Sequence, residues 1–387
     1  MIYLDAAATT KPRKEVIDAV MPYLTDMWYN PSSLYNSSSN IKKKIEESRE
    51  AVAKFINAEK NEIFFTSGGS EGNSWAIQGF INECWSNGKY PIVITSTIEH
   101  KSILNCVNNS DIEFFFINVD NKGMVQDDEL EAALMRAIEC GKESFLDYNI
   151  LVSVQFANNE VGTCQNIKFI SDIVHEYGGI FHTDAVQAFG HIPINVKELG
   201  IDMLTISGHK VNALKGVGFL YKKDGTNIKP LIYGTQENSM RGGTENIIGI
   251  ISLAEAIKHI NFSDNFEEIE NLINKRDYFI NLLESKFGCK LNGCYEYRLP
   301  NNINVTFPQN ITGESLLYML EMSDIYVSTG SACNSKSIEP SHVLKAIGLS
   351  NEEAFRTVRF TLPNDITYEE IDKVIEEIDK CLKIIES

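Results

Sequence analysis

The sequence has no CxxC pair, no long apolar run and no surplus of positive charge, and each absence removes a class of function. The cysteines Cys84, Cys106, Cys140, Cys164, Cys289, Cys294, Cys333 and Cys381 are scattered along the chain. A disulfide framework or a zinc site is therefore not expected. In a reducing compartment most of these thiols should behave as small buried hydrophobes. No window approaches the roughly 18 apolar residues of a membrane span. The opening MIYLDAAATT has neither a basic lead nor an apolar stretch of signal-peptide length, so a cytoplasmic location is expected. Lys and Arg total 35 against 53 Asp and Glu, a formal net charge of −18. That balance disfavours direct nucleic-acid binding, which needs cations against phosphate, and solubility is its simplest role. Repeats and low-complexity segments are missing as well.

What is present is a large apolar supply, 43% of 387 residues, arranged in alternation. Ile63–Phe65, Ile92–Ser96, Glu113–Asn118, Ile150–Gln155, Ile180–Thr183, Met203–Ile206 and Gly218–Tyr221 read as strands. Several are apolar throughout, as strands covered on both faces must be. Helical patterns over Ser70–Asn82, Gln126–Glu139 and Asn166–Tyr177 lie between them. This alternation predicts an α/β layered fold. Beyond about residue 260 the texture changes. Glu267–Phe287, Ser315–Glu321 and Tyr368–Ile385 read as helices, and Ile303–Phe307 alternates like a half-exposed strand. The expected division is a large domain over 15–258 and a smaller α+β domain built from 1–14 and 259–387. Asn30–Asn40, NPSSLYNSSSN, is polar and reads as a loop.

Four polar clusters fall where strands end, which is where α/β enzymes place their chemistry. TSGGSEGN at Thr66–Asn73 opens a helix after a glycine-rich turn, which suits a phosphate and equally suits simple capping. HTDAVQ at His182–Gln187 offers an Asp that is either a helix cap or the partner of a pyridinium nitrogen. SGHK at Ser207–Lys210 offers a lysine that is either solvated or a Schiff-base amine. NNEVG at Asn158–Gly162 supplies amides, or merely a turn. Together they make up the set of groups that pyridoxal phosphate requires.

The chain resembles the cysteine desulfurases of the class V aminotransferase family, within fold-type I pyridoxal-phosphate enzymes. The resemblance runs from YLDAAATT at Tyr3–Thr10 to RFTL at Arg359–Leu362. It passes in order through NPSS, TSGGSEGN, EHKS, ANNEVGT, HTDAVQA, DMLTISGHK, RGGTEN and STGSACNS. It implies a mainly parallel seven-stranded sheet flanked by helices. It also implies that Lys210 carries the cofactor, Asp184 pairs with the ring nitrogen and Gln187 bonds the ring hydroxyl. His100 would stack on the ring and serve as a proton carrier, and Asn159 would contact cofactor and substrate. Gly69, Ser70, Ser207 and His209 would hold the phosphate, with Thr244 reaching it from the neighbouring subunit of a homodimer. Arg359 would bind the substrate carboxylate, a task for a bidentate guanidinium. Cys333 would take the sulfur as a persulfide, in a segment that resembles the long-loop type. A sulfur-acceptor protein, in iron–sulfur cluster assembly or tRNA thiolation, is the implied partner.

Three departures from the family pattern stand out. Ala213–Leu214 replaces the usual Gly-Pro, Tyr35 and Ser38 replace His and Gly, and Pro363 replaces a common Gly after RFTL. None removes a named catalytic group. Other reactions on the same fold remain as alternatives, namely selenocysteine lysis, β-elimination and transamination. A non-catalytic homologue is the third reading, opposed by the joint presence of Lys210, Asp184 and Arg359.

Overall fold

The structure is a computed structural model that describes residues 1–260, 262, 266–308, 311–329 and 339–386. Cys333 lies outside the described residues. A short β1 (Ile2–Tyr3) opens the chain. The main sheet comprises β2 (Ile63–Thr66), β3 (Tyr90–Ser96), β4 (Glu113–Ile117), β5 (Tyr148–Ser153), β6 (Ile180–Asp184), β7 (Met203–Ser207) and β8 (Gly218–Lys222), in the order β2-β8-β7-β6-β5-β3-β4. The run from β7 to β4 is parallel. β8 is antiparallel to both β7 and β2, which returns β2 to the common direction. The sheet is thus mainly parallel and seven-stranded, as expected.

Neighbouring residues of one strand point to opposite faces, and here both faces are covered. Ile92 and Ile94 enter one apolar cluster and Val93 enters another, each fully buried. The covering helices are α1 (Lys14–Thr25), α2 (Asn36–Phe55), α3 (Gly69–Ser86), α4 (Lys101–Asn108), α5 (Asp127–Glu143), α6 (Ile167–Glu176) and α7 (Ile247–Lys258). Trp75 and Phe80 of α3 with Ile103 of α4 pack on one face. Ile45, Leu134, Ile170 and Leu253 bring α2, α5, α6 and α7 to the other.

The chain then passes through α8 (Phe266–Phe287), β9 (Lys290–Leu291), β10 (Asn302–Thr306), α9 (Gly313–Glu321), β11 (Ile325–Tyr326), α10 (His342–Ala346), α11 (Asn351–Phe355), β12 (Thr357–Thr361) and α12 (Tyr368–Glu386). β12, β10 and β9 form an antiparallel sheet, and β1 pairs with β11. A further core gathers Leu4, Phe279, Val305, Leu316, Phe360 and Ile375, so the first residues pack with the last third of the chain.

Two expectations fail here. β10 is not half-exposed, since every residue from Asn302 to Thr306 is buried. Its apolar face, Ile303 and Val305, enters the core. Its polar face is satisfied internally: Asn304 Nδ2 donates to the Glu160 carbonyl at 3.1 Å and Asn292 Nδ2 donates to Thr306 Oγ1 at 2.9 Å. Alternation reports two chemically different faces, and here the polar one meets protein rather than water. Nor is Asn30–Asn40 wholly loop, because α2 begins at Asn36. Ile41, Ile45 and Val52 bury one stripe of that helix, and this packing overrides the poor propensity of its first polar turn. Among the described residues no helix is long and apolar enough to cross a membrane.

Candidate active site

Because β2, β3, β5, β6 and β7 point the same way, their carboxyl ends share one edge of the sheet, and a cavity of about 310 Å³ opens there. Gly69 and Ser70 follow β2, His100 follows β3, and Asn159 lies on the turn after β5. Asp184 ends β6 with Gln187 just beyond it, and Ser207, His209 and Lys210 stand at the end of β7. Arg359 enters from β12. All of these expected residues line the one cavity. Thr244 does not. It is exposed on the segment before α7 and lines a separate cavity with Ser67 and Arg241.

The first N–H groups of α3 lack intrahelical partners, and they face an environment suited to an anion. Glycine is required at the mouth of this turn, because a Cβ on Gly69 would lie 2.7 Å from Val186 Cγ2. Glu71 caps the turn by accepting the Ser67 N–H at 2.8 Å and holds Arg241 in a bidentate pair at 2.7 and 3.1 Å. His209 Nδ1 lies 3.1 Å from Thr9 Oγ1. Burial, with the charges of Lys210 and Lys215, pushes its imidazole down to about 4, so it stands neutral near pH 7.

Lys210 Nζ donates to the carbonyls of Ala7 and Ala8 at 2.5 and 2.7 Å. Gln187 Nε2 also donates to Ala7 O, at 3.1 Å. The N-terminal DAAA turn therefore forms part of the cavity wall. Asp184 is buried and fixed on both oxygens: Oδ1 accepts the Val186 N–H at 2.9 Å and Oδ2 accepts from Asn73 Nδ2 at 2.6 Å. A carboxylate so held can face a protonated ring nitrogen without turning away. His100 caps α4, its Nδ1 2.8 Å from Ser102 Oγ.

Arg359 is buried and clamped. Its Nη1 donates to Asn159 O at 2.9 Å and its Nη2 to Asp5 Oδ1 at 2.6 Å. Its Nε is buried with no hydrogen-bond partner among the described residues, an unspent donor of the sort a bound carboxylate satisfies. The Asn73 Oδ1 acceptor beside Asp184 is likewise unspent. A glycine turn at a helix start, a fixed carboxylate, a strand-end lysine and unspent donor capacity together suit pyridoxal phosphate and an amino acid.

The motifs did not disclose four contributors. Asn73, Asp5, Glu99 and Glu160 each lie within or beside a cluster read from the sequence, but their partners are remote in the chain. Burial pushes the Glu99 carboxyl up to about 8, against hydrogen bonds from Ser96 and the Gln155 N–H and with the Asp184 charge adding to it. Burial pushes Glu160 up to about 7, while Ser341, Arg359 and Lys101 pull it back. Among the described residues no cluster of His, Cys, Asp or Glu is arranged to hold a metal ion.

The aminotransferase class-V family model matches residues 2–374. A cysteine desulfurase IscS of Dictyoglomus turgidum is 44% identical over 387 residues, covering 99% of this chain and 94% of that protein. Among solved structures, a NifS-like protein superposes with a TM-score of 0.88 at 30% identity, covering 99% of both chains. A NifS-like protein from Rickettsia africae ESF-5 superposes with a TM-score of 0.84 at 33% identity, covering 98% of this chain and 99% of that one.

Proposed function

The chain belongs to the class-V aminotransferase family, among its cysteine desulfurases, and on that premise we propose which residues carry each part of the reaction. It is a pyridoxal-phosphate enzyme that takes sulfur from L-cysteine and releases L-alanine. The observation that carries the residue assignment is the convergence of Lys210, Asp184 and Arg359 on one cavity. Residues 15–258 act as the cofactor domain, and 1–14 with 259–387 as the small domain. The separate apolar cluster that joins Leu4 to the C-terminal third supports this division.

Pyridoxal phosphate, when bound, supplies the electron sink that lets a proton leave the substrate Cα. Gly69, Ser70, Ser207 and His209 would hold its phosphate, Asp184 would face its ring nitrogen and favour the protonated form, and Gln187 and Asn159 would hold its hydroxyl side. Lys210 would carry it and, once displaced by the substrate amine, would be the base that moves the Cα proton. Arg359 orients the substrate by its carboxylate, with Asp5 and the Asn159 carbonyl keeping the guanidinium in plane. The Cys333 thiolate then attacks the substrate sulfur. A sulfur–sulfur bond forms, the Cβ–S bond breaks, and its electron pair stays on Cβ, which takes a proton to become the alanine methyl. Cysteine and thiol thus give alanine and persulfide with no outside oxidant. His100 accepts the thiol proton. Sulfur passes onward to an acceptor protein, and cluster assembly is the favoured destination.

The active form is a homodimer. Thr244 is exposed and outside its own cavity, while Arg241, three residues earlier, is paired to Glu71 of the phosphate helix. Thr244 therefore serves the partner's phosphate. Mixing a Thr244→Ala chain with a Lys210→Ala chain tests this, because each hybrid dimer concentrates both lesions in one site and leaves the other intact. Activity should appear in the mixture above that of either variant alone. No gain on mixing would refute the shared site.

A further inference from the structure

Cys333 lies in the chain between Ser328 and Ser341, and both of those residues are tied to the active site. Ser328 pairs with Arg359: its N–H donates to Arg359 O at 3.1 Å and its carbonyl accepts the Arg359 N–H at 2.6 Å. At the other end, Ser341 Oγ donates to Glu160 Oε2 at 2.5 Å and caps α10 by accepting the Val343 N–H at 3.1 Å and the Leu344 N–H at 3.3 Å. The next residue, His342, donates from Nε2 to the Glu99 carbonyl at 2.9 Å. Two consecutive residues thus grip two loops of the site. Glu160 is adjacent to Asn159, and Glu99 is adjacent to His100.

Apolar contacts reinforce the same join. Ile98 and Val161 pack with Val343, Leu344 and Ile347 in a small buried cluster of their own. Ile98 precedes Glu99 and Val161 follows Glu160, so α10 rests on both loops. The turn at Asn158–Glu160 is itself fixed, with Asn158 Oδ1 accepting the Glu160 N–H at 2.8 Å and Asn304 Nδ2 donating to Glu160 O at 3.1 Å. One short turn therefore holds Arg359 by the carbonyl of Asn159 and Ser341 by the carboxyl of Glu160.

Glu160 is only 6% exposed. A carboxyl buried this deeply is costly unless it is well paired, and an apolar residue could pack the same space. Burial raises its affinity for a proton, with Ser341, Arg359 and Lys101 opposing.

We propose that Glu160 and Ser341 are a positioning pair for sulfur transfer, anchoring the chain at Ser341, eight residues beyond Cys333, against the turn that holds the substrate arginine. The inference rests on Cys333 being the sulfur acceptor. Neither residue lines the cavity, and the pair acts through the anchor that it gives the chain beyond the thiol.

The test uses the holoenzyme and three variants, Glu160→Ala, Glu160→Gln and Ser341→Ala. Two signals are followed in a single turnover with L-cysteine: the change in cofactor absorbance on substrate binding, and persulfide on the Cys333 peptide by mass spectrometry. In Glu160→Ala and Ser341→Ala the absorbance change should keep its amplitude and half-saturation within about 2-fold. Persulfide should form about 10-fold more slowly or worse, as expected for a reacting group displaced by an ångström or so. Glu160→Gln keeps an oxygen for Ser341 and should recover most of the rate. Wild-type persulfide rates in Glu160→Ala and Ser341→Ala would overturn the proposal. So would an equal loss at the binding step, or a Gln variant no better than Ala. Cys333→Ala is run alongside. Persistent sulfane sulfur on that variant would refute the acceptor assignment itself and is read independently of the other three.

Discussion

The two walls of the cavity are built differently. The large-sheet wall hangs on strand ends. Asp184 and Ser207 end β6 and β7 and Lys210 follows β7, strands that are almost wholly buried and locked by ladder hydrogen bonds. The small-domain wall adds polar side-chain ties between remote parts of the chain to a buried strand, β12, and to the apolar cluster under α10. Arg359 is set by Asp5, Asn159 and Ser328, and α10 by Glu160 and Glu99. A wall made of strand ends moves only if the sheet moves. Where a side-chain tie between remote segments sets a group's direction, one substitution can turn that group without moving the strand that carries it. The residues proposed to hold the cofactor belong to the first wall, and the arginine proposed to meet the substrate belongs to the second.

This contrast predicts a graded series. The largest effect is at the first wall: Lys210→Ala should lower alanine formation by roughly 1,000-fold or more, because among the described residues no other lysine lines the cavity. Second, Arg359→Lys should raise the KM for L-cysteine by about 10- to 100-fold with little change in the cofactor absorbance band. The ammonium cannot reproduce the fork that spans Asp5, Asn159 and a carboxylate. A lost absorbance band would place Arg359 in the first wall instead. Third, Asn73→Ala removes the 2.6 Å bond to Asp184 Oδ2 and should weaken cofactor retention by roughly 1–3 kcal/mol, read as faster loss on dialysis.

The smallest effect concerns stability and lies inside the first wall. His182 is fully buried, its Nδ1 2.8 Å from Ser153 Oγ and its Nε2 3.0 Å from Thr205 Oγ1. Burial pushes its pKa from 6.5 down to about 3. The folded state therefore binds this proton less readily than the unfolded state does. The stability contribution is intact above pH 6.5 and is lost as pH falls toward 3. His182→Gln should flatten the decline of the urea midpoint between pH 6.5 and 4. An unchanged slope would assign the acid sensitivity to other groups.

The same contrast explains what was legible in the sequence. The strands and the residues at their ends could be read because apolar runs and strand-end clusters are local signals. The polar ties could not. Asn73 and Asp184 are 111 residues apart, and Asp5 and Arg359 are 354 apart. Nothing in either neighbourhood specifies such a partner. The burial of β10 is hidden for the same reason, since the Glu160 carbonyl and Asn292 side chain that meet its polar face come from other segments. Glu99 and Glu160 stood beside His100 and Asn159 in the sequence, but only their burial and their ties to His342 and Ser341 give them work.

The central claim is that Lys210 makes the carbon chemistry possible and Cys333 receives the sulfur. The most direct measurement is one turnover of the holoenzyme with L-cysteine and no added thiol, with alanine and Cys333-bound sulfur counted together. The account predicts equal amounts of both, and neither product in excess of enzyme sites. It also predicts that Cys333→Ala keeps the cofactor band and its response to cysteine but forms no persulfide. Pyruvate and ammonia in place of alanine, or stoichiometric protein-bound sulfur in Cys333→Ala, would contradict it.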